Sequence, residues 1–196
     1  MRLLLSNAIS LPWLIFLAYW IVASFRVNTM ERREPPGEKL VRILVAVAGW
    51  YLLSTNDPRF GALNHRFFRF HLWVFLIGAV LTWAGVAFAI WARYHIGRFW
   101  SASVALKTGH ELIRTGPYSR IRHPIYTGIL LALAGTTLAV GRYRGIVAFA
   151  LILASLIRKS KQEEALLAGQ FGPSFEEHRR LTGFFLPRLS RRPIEG

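Results

Sequence analysis

Apolar residues in this chain are gathered into five runs separated by short polar segments. The first, Leu3 to Ser24, holds no charged residue, and neither does the third, Phe70 to Trp91. The second, Leu40 to Thr55, is shorter and is interrupted by Arg42. The fourth, Ile125 to Val140, and the fifth, Ile146 to Ile157, flank the turn Gly141-Arg142-Tyr143-Arg144-Gly145. A helix needs roughly 20 apolar residues to cross a bilayer. The first and third runs reach that length directly. The other three imply borrowed flanking residues, tilt or a locally thinned membrane. The pattern therefore predicts an all-α integral membrane protein with about five transmembrane helices, the last two forming a hairpin. Arg2 ahead of the first run would suit a signal peptide. The run is longer than a typical signal core, however, and no small-x-small cleavage site follows, so a retained first helix is expected.

Charge orders these runs across a membrane. Of the 25 Lys and Arg, nineteen fall in segments 26–42, 92–124 and 158–196, and six in the alternating segments 1–2, 56–70 and 141–145. Basic residues mark the cytoplasmic side. The expected orientation has the N-terminus outside and the C-terminus cytoplasmic, in a prokaryotic inner membrane. The net charge of +15 would also fit nucleic-acid binding. That class is set aside: the basic residues border apolar runs, where anionic headgroups are, and form no single stripe.

Composition agrees. At 53% hydrophobic residues, with 14 Phe and 7 Trp, the chain is too apolar for a soluble domain of its size. There is no cysteine, which removes disulfides, thiolate nucleophiles and Cys-ligated metals. The six histidines show no H-x-x-x-H spacing, so no protein-held metal is expected. Nucleotide-binding glycine motifs and the nucleophile elbow are also missing.

The segment between the third and fourth runs carries the candidate chemistry. The third helix should run through Arg93 and His95 and stop near Gly97. Phe99-Trp100-Ser101 suits an interface, and Lys107-Thr108-Gly109 is a turn. Thr115-Gly116-Pro117 is another turn, from which Pro117 can open a short helix. His123 cannot easily be helical ahead of Pro124, so Pro124 should begin the fourth span. Between these landmarks lie His110-Glu111-Leu112-Ile113, Tyr118 and Arg122-His123-Pro124-Ile125-Tyr126. Each has an ordinary structural role open to it: tyrosines as interface anchors, His123 as a helix cap, Glu163-Glu164 as a solvated face, Phe171-Gly172-Pro173 as a helix stop.

Taken in order, His110-x-Leu112-Ile113, Tyr118, Arg122-His123-Pro124-x-Tyr126, a helical hairpin, Glu163-Glu164, Leu167 and Phe171-Gly172 resemble the isoprenylcysteine carboxyl methyltransferase family. More broadly they look like the integral-membrane methyltransferases that include phospholipid N-methyltransferases. The ending Leu181-Thr182-Gly183-Phe184-Phe185-Leu186-Pro187 is similar to that of prokaryotic members. The resemblance implies three N-terminal transmembrane helices in 1–91 and a catalytic part in 92–196. The latter would comprise a cytoplasmic loop 92–124, a transmembrane hairpin 125–158 and a cytoplasmic segment 159–196.

The resemblance implies S-adenosylmethionine as methyl donor and a membrane lipid, or a lipidated small molecule or peptide, as acceptor. His110, Glu111, Leu112 and Ile113 would line the adenosine end, partly through backbone groups. Tyr118, His123, Pro124, Ile125 and Tyr126 would surround the cofactor, and Glu163 and Glu164 would meet its amino or ribose groups. The residue types suit that ligand: aromatic faces attract a sulfonium, and a carboxylate suits an ammonium or a diol. Eukaryotic members carry a substrate-side Arg about one turn before the acidic pair. Here Lys159 takes that place, with Arg158 beside it, and these two join Tyr126 as candidate catalytic residues. A carboxylate acceptor needs cationic anchoring, whereas an amine needs a base such as His178 or the Glu pair. Carboxyl O-methylation is the leading expectation and phospholipid N-methylation the alternative. Rival classes are a sterol-type membrane reductase using NADPH and a non-catalytic lipid-binding membrane protein.

Overall fold

The computed structural model describes residues 2–25, 30–33, 36–55, 57–97, 105–107 and 112–188. Four apolar runs form the helices α1 (Arg2–Ser24), α2 (Pro36–Ser54), α3 (Leu72–Ile96) and α4 (Pro124–Val140). The fifth run lies inside the longer α5 (Tyr143–Phe171), and α6 (Pro173–Leu181) follows. Two short 3₁₀ helices joined by a kink at Gly61 occupy Pro58–Asn64, and a further 3₁₀ turn occupies Gly116–Ser119. Two helical stretches, Ser6–Ser24 and Leu72–Ile96, are long and apolar enough to cross a membrane, and α4 is apolar but shorter.

The helical body agrees with the all-α expectation. One element was not predicted: β1 (Met30–Arg33) and β2 (Ala105–Lys107) pair antiparallel, with Met30 opposite Lys107 and Arg33 opposite Ala105. These segments are too short for the alternation that would announce a strand in sequence.

The helix ends follow local rules. Gly97 ends α3, its amide bonded to the Arg93 carbonyl. Gly141 ends α4 at φ 64, ψ 28, the left-handed conformation that glycine adopts without penalty. Pro117 lies in the first turn of its short 3₁₀ element and Pro124 opens α4, both as expected from a ring that presets φ. The expected boundary at residue 158 falls within a continuous helix. The apolar stretch stops there, but Lys161-Gln162-Glu163-Glu164-Ala165-Leu166-Leu167 are strong helix formers, and α5 continues unbroken to Phe171. Gly172, at φ 49, makes the bend before Pro173.

Packing is closest between α3 and α4. A Cβ built on Gly85 would come within 2.3 Å of the Ala132 amide nitrogen, and one on Gly128 within 2.6 Å of the Ala89 nitrogen. Gly78 and Gly135 meet in the same way, each Cβ falling within 2.6 Å or less of the other's carbonyl oxygen. Small residues thus bring the two backbones together, which is how helices associate where burial from water gives no drive. Thr82 lies between Gly78 and Gly85 and Thr136 next to Gly135; both return their hydroxyls to carbonyls one turn back, Thr82 to Gly78 and Thr136 to Ala132. Trp13 of α1 donates its indole N–H to Thr136 at 3.0 Å. The second close pair is α2 with α5, while α4 and α5, the expected hairpin, touch less.

Two buried arginines tie helix ends together. Arg144 donates to the Leu52 and Leu53 carbonyls at the C-terminal end of α2. Arg93 donates to Ala23 at 2.9 Å and to Gly97 at 2.7 Å, joining the ends of α1 and α3. A cation complements the partial negative charge of a helix C-terminus.

Candidate active site

Residues 112–123, the start of α4 and the C-terminal half of α5 meet at one end of the bundle. There the chain after α6 runs parallel to the segment entering α4. The Gly183 amide bonds to the Arg120 carbonyl, the Arg122 amide to Gly183 and the His123 amide to Phe184. Thr127 Oγ1 donates to the Phe185 carbonyl at 2.7 Å. This strap sets the rings of Phe184 and Phe185 edge-on to His123, with centroids 5.0 and 6.0 Å away.

Spacing on two helices then assembles the polar cluster. His123 and Tyr126 are three apart at the first turn of α4, and their rings stack at 5.7 Å with 10° between planes. Lys159 and Glu163 are four apart on α5, with Nζ 3.6 Å from Oε1. Tyr126 donates its hydroxyl to the same Glu163 oxygen at 2.7 Å. Lys159 Nζ also lies 5.3 Å from the Tyr126 ring centroid. His123 joins the two acids: Nε2 is 3.1 Å from Glu164 Oε1 and Nδ1 is 3.6 Å from Glu163 Oε2. Arg122 closes the cluster, with Nε 2.6 Å from Glu164 and Nη1 donating to the Thr182 and Arg179 carbonyls. Burial alone would raise the Glu164 carboxyl. The hydrogen bonds from His123 and Arg122, with the Arg122 charge, hold it below its ordinary value instead.

The structure brings together most of the residues singled out from sequence. His123, Tyr126, Lys159, Glu163 and Glu164 share this cluster. Pro124 and Ile125 are buried at its base, and Ile113 packs against the hydrophobic cluster formed by Ala92, Tyr118, Ile125 and Tyr126. Tyr118 is buried, stacked on His95 at 6.3 Å. Burial, then the Glu163 charge, pushes its phenol well above the ordinary range, so it stays neutral. Leu112 is half-buried nearby in sequence. His110, Glu111 and the Phe99–Ser101 and Thr108-Gly109 features lie outside the described residues.

One expectation parts company with the geometry. Arg158 does not join Lys159: it pairs with Glu38 of α2 at 3.1 Å, its side chain 73% exposed. Adjacent positions on a helix point about 100° apart, so only one of the two can face α4. His178 is buried in α6. Burial, then the charges of Arg114 and Arg122, push its imidazole down to about 4, so it is neutral at pH 7.

Sequence reading passed over Arg122 and Arg42. Arg122 belonged to the quoted motif but was given no role. Arg42 had a signal, because a charge within an apolar run is costly unless it faces the protein interior. It lines a half-open cavity of about 260 Å³ between α1, α2, α4 and α5. Tyr126 and Lys159 also line that cavity, while Trp20, Ile129 and Leu156 contribute to its apolar walls.

A helical membrane-type bundle with an acid-, tyrosine- and lysine-bearing cluster at one end, opening on an apolar cavity, is the class these features define. Residues 76–169 match the model of the isoprenylcysteine carboxyl methyltransferase (ICMT) family. Through that segment, just under half of its length, the chain resembles this family.

The chain is 36% identical to the cobalt-zinc-cadmium resistance protein CzcN of Cupriavidus metallidurans, over 60% of this chain and 53% of that one. It is 33% identical to the protein-S-isoprenylcysteine O-methyltransferase of Schizosaccharomyces pombe, over 50% of this chain and 43% of that one. The chain thus spans about half the length of the curated relatives it matches. Its fold is similar to the solved eukaryotic intramembrane Ras methyltransferase ICMT. That match has a TM-score of 0.55 and 23% identity, over 74% of this chain and 51% of that one.

Proposed function

We propose that the protein is an S-adenosylmethionine-dependent methyltransferase acting on an amphiphilic, membrane-located acceptor, most readily by carboxyl O-methylation of a prenylcysteine-like or other lipid-like carboxylate. The observation that carries this is the Tyr126–Glu163–Lys159 cluster beside an apolar cavity. The match of residues 76–169 to the family model and the name of the yeast relative support the reading.

The residues suit the donor. Its sulfonium and ammonium match the aromatic faces of Tyr118 and Tyr126 and the carboxylate of Glu163, whose side chain keeps 21% exposure. Its adenine would lie against Ile113 and the segment leading to it. When bound, the donor supplies a methyl carbon on a positively charged sulfur, open to direct displacement. No covalent enzyme intermediate is needed, so this chain's residues have positioning and desolvation to perform. Tyr126, fixed by Glu163 and stacked on His123, is a rigid wall. Phe184 and Phe185 exclude water from the strap side. Lys159, 9% exposed and 3.6 Å from Glu163, holds the acceptor carboxylate beside Tyr126. An acceptor carboxylate attacks without giving up a proton, so this route asks for no base.

The acceptor reaches the cavity from the lipid side, and the water-soluble donor reaches the cluster from the cytoplasm. On this reading the chain has five spans in a prokaryotic inner membrane, with the N-terminus outside and the C-terminus cytoplasmic. A C-terminal reporter active only outside the cytoplasm should then stay silent, and strong activity would refute the orientation. The cofactor is tested in detergent by thermal stabilisation. S-Adenosylhomocysteine should raise the melting temperature and NADPH should not, since only a ligand that binds the native state stabilises it. The reverse result would replace the transferase reading with a reductase.

A further inference from the structure

We propose that the end of α6 and the strap after it form a docking surface for anionic phospholipid headgroups, and that this contact steadies the strap against the polar cluster. The docking is independent of the transferase reading. Its effect on the donor rests on that reading, and both rest on the chain lying in a membrane.

Four side chains make the surface, and a tight turn brings them together. α6 turns Phe175 and His178 inward, where both are buried, and leaves Arg180 and Leu181 outside, Leu181 44% exposed. The chain then doubles back. A Cβ on Gly183 would collide with the Leu186 carbonyl oxygen, so glycine permits this return. Arg188 thereby reaches the end of α6, where its Nη1 donates to the Arg180 carbonyl. Leu186, on the same turn, is 75% exposed. The two acids of α6 are already engaged, Glu176 by Arg179 at 2.7 Å and Glu177 by Arg114 at 3.0 Å. Among the described residues neither Arg180 nor Arg188 has an ion-pair partner.

Depth points to the partner. Phe185, next to Leu186, accepts a hydrogen bond from Thr127 in the first turn of α4. Apolar residues fill α4 from that turn onward, and the apolar stretch of α5 ends at Ile157 near the same cluster. The patch therefore stands where a span leaves the hydrocarbon and headgroups begin. Leucine there enters the acyl boundary while arginine stays among phosphates, as in interfacial segments. The guanidinium fork suits phosphate oxygens. A second copy of the chain would instead bring like charges face to face, over a patch far smaller than a stable protein interface.

The same strap walls the site. The Arg122 and His123 amides bond to its Gly183 and Phe184 carbonyls, and the Phe184 and Phe185 rings stand edge-on to His123. A contact that pins Leu186 and Arg188 from outside also restrains these two rings, and so favours the arrangement that receives the donor.

The chain has no cysteine, so Leu186→Cys carries a single nitrobenzoxadiazole label. The labelled full chain is placed in nanodiscs of phosphatidylcholine alone, or of phosphatidylcholine with about one third phosphatidylglycerol. Quenching by lipid spin-labelled at the headgroup reports docking. It should be strong in the anionic discs and weak in the neutral ones. Salt at about 1 M should reduce it, because screening then acts within about 3 Å. Each cation at an anionic surface favours contact about fivefold, so Arg180→Gln with Arg188→Gln should lower the docked-to-free ratio by roughly 25-fold. S-Adenosylhomocysteine should bind about threefold or more tighter in the anionic discs.

Equal quenching in the two lipids, or quenching unchanged by the double substitution, would overturn the docking. Equal S-adenosylhomocysteine affinity in the two lipids would overturn its coupling to the donor. If that ligand binds in neither, the transferase reading and the coupling fall, while the label still decides the docking. A chain that separates from the discs would overturn docking and membrane placement together. If the double variant does not fold, the lipid and salt comparisons on the labelled chain decide.

Discussion

Replacing Gly85 with leucine should separate α3 from α4 and abolish the native fold. A Cβ at this position would lie 2.3 Å from the Ala132 nitrogen and 2.6 Å from the Gly128 carbonyl oxygen. Overpacking a core costs about 1–3 kcal/mol where side chains can shift aside. Here the obstacles are main-chain atoms of the facing helix, which cannot rotate away, so the loss should exceed about 3 kcal/mol. The same pair of helices sets the cluster, since Tyr126 and His123 stand at the start of α4. Donor binding should therefore be lost with the fold. Gly169→Leu is the control: its Cβ would meet nothing within 4 Å, and leucine is a better helix former than glycine. Thermal unfolding in detergent, followed by helical circular dichroism, separates the two. A wild-type midpoint for Gly85→Leu would show that α3 and α4 do not meet through these glycines.

Lys159→Ala should remove most methyl transfer while leaving donor affinity nearly intact. A hydrogen bond to a charged group contributes about 1.5–3 kcal/mol, which is roughly ten- to 150-fold in rate when made to the reacting acceptor. Arg158→Ala should change turnover by less than about threefold, because its partner is Glu38 and exposed ion pairs contribute about 0–1 kcal/mol. Both variants are assayed for labelled-methyl transfer to a membrane lipid extract and to prenylated thiol acids, with S-adenosylhomocysteine affinity measured in parallel. Equal losses in the two variants would remove Lys159 from the acceptor's anchorage. A parallel loss of donor affinity in Lys159→Ala would move its role to the cofactor side through Glu163.

Several site residues were legible because their chemistry is local. Proline fixes φ, so the ends of the loop and the start of α4 could be read from Pro117 and Pro124. His123 and Tyr126, three apart after that proline, had to share a helix face. Lys159 and Glu163, four apart, do so only if α5 continues past its apolar stretch. Hydrophobicity could not show that continuation, because helix formation by Lys, Gln, Glu, Ala and Leu is indifferent to polarity. Arg158 and Lys159 could not be ranked without knowing which face of α5 meets α4 and which meets α2.

Sequence by itself determined the helical class, the number of apolar runs, the charge asymmetry and the identity of the polar residues near the site. These depend on side-chain type and spacing along one chain, which helix geometry converts directly into faces and lengths. Tertiary structure alone decided the partners. It paired α3 with α4 through glycines and α2 with α5. It gave Arg158 to Glu38 and Lys159 to Tyr126 and Glu163, and it turned Arg42 from an interruption in an apolar run into a cavity wall. The reason is physical: which surfaces meet depends on how closely two backbones can approach and on where each buried charge finds an opposite one. Both are sums over residues far apart in the chain, and periodicity within a single segment carries no record of them.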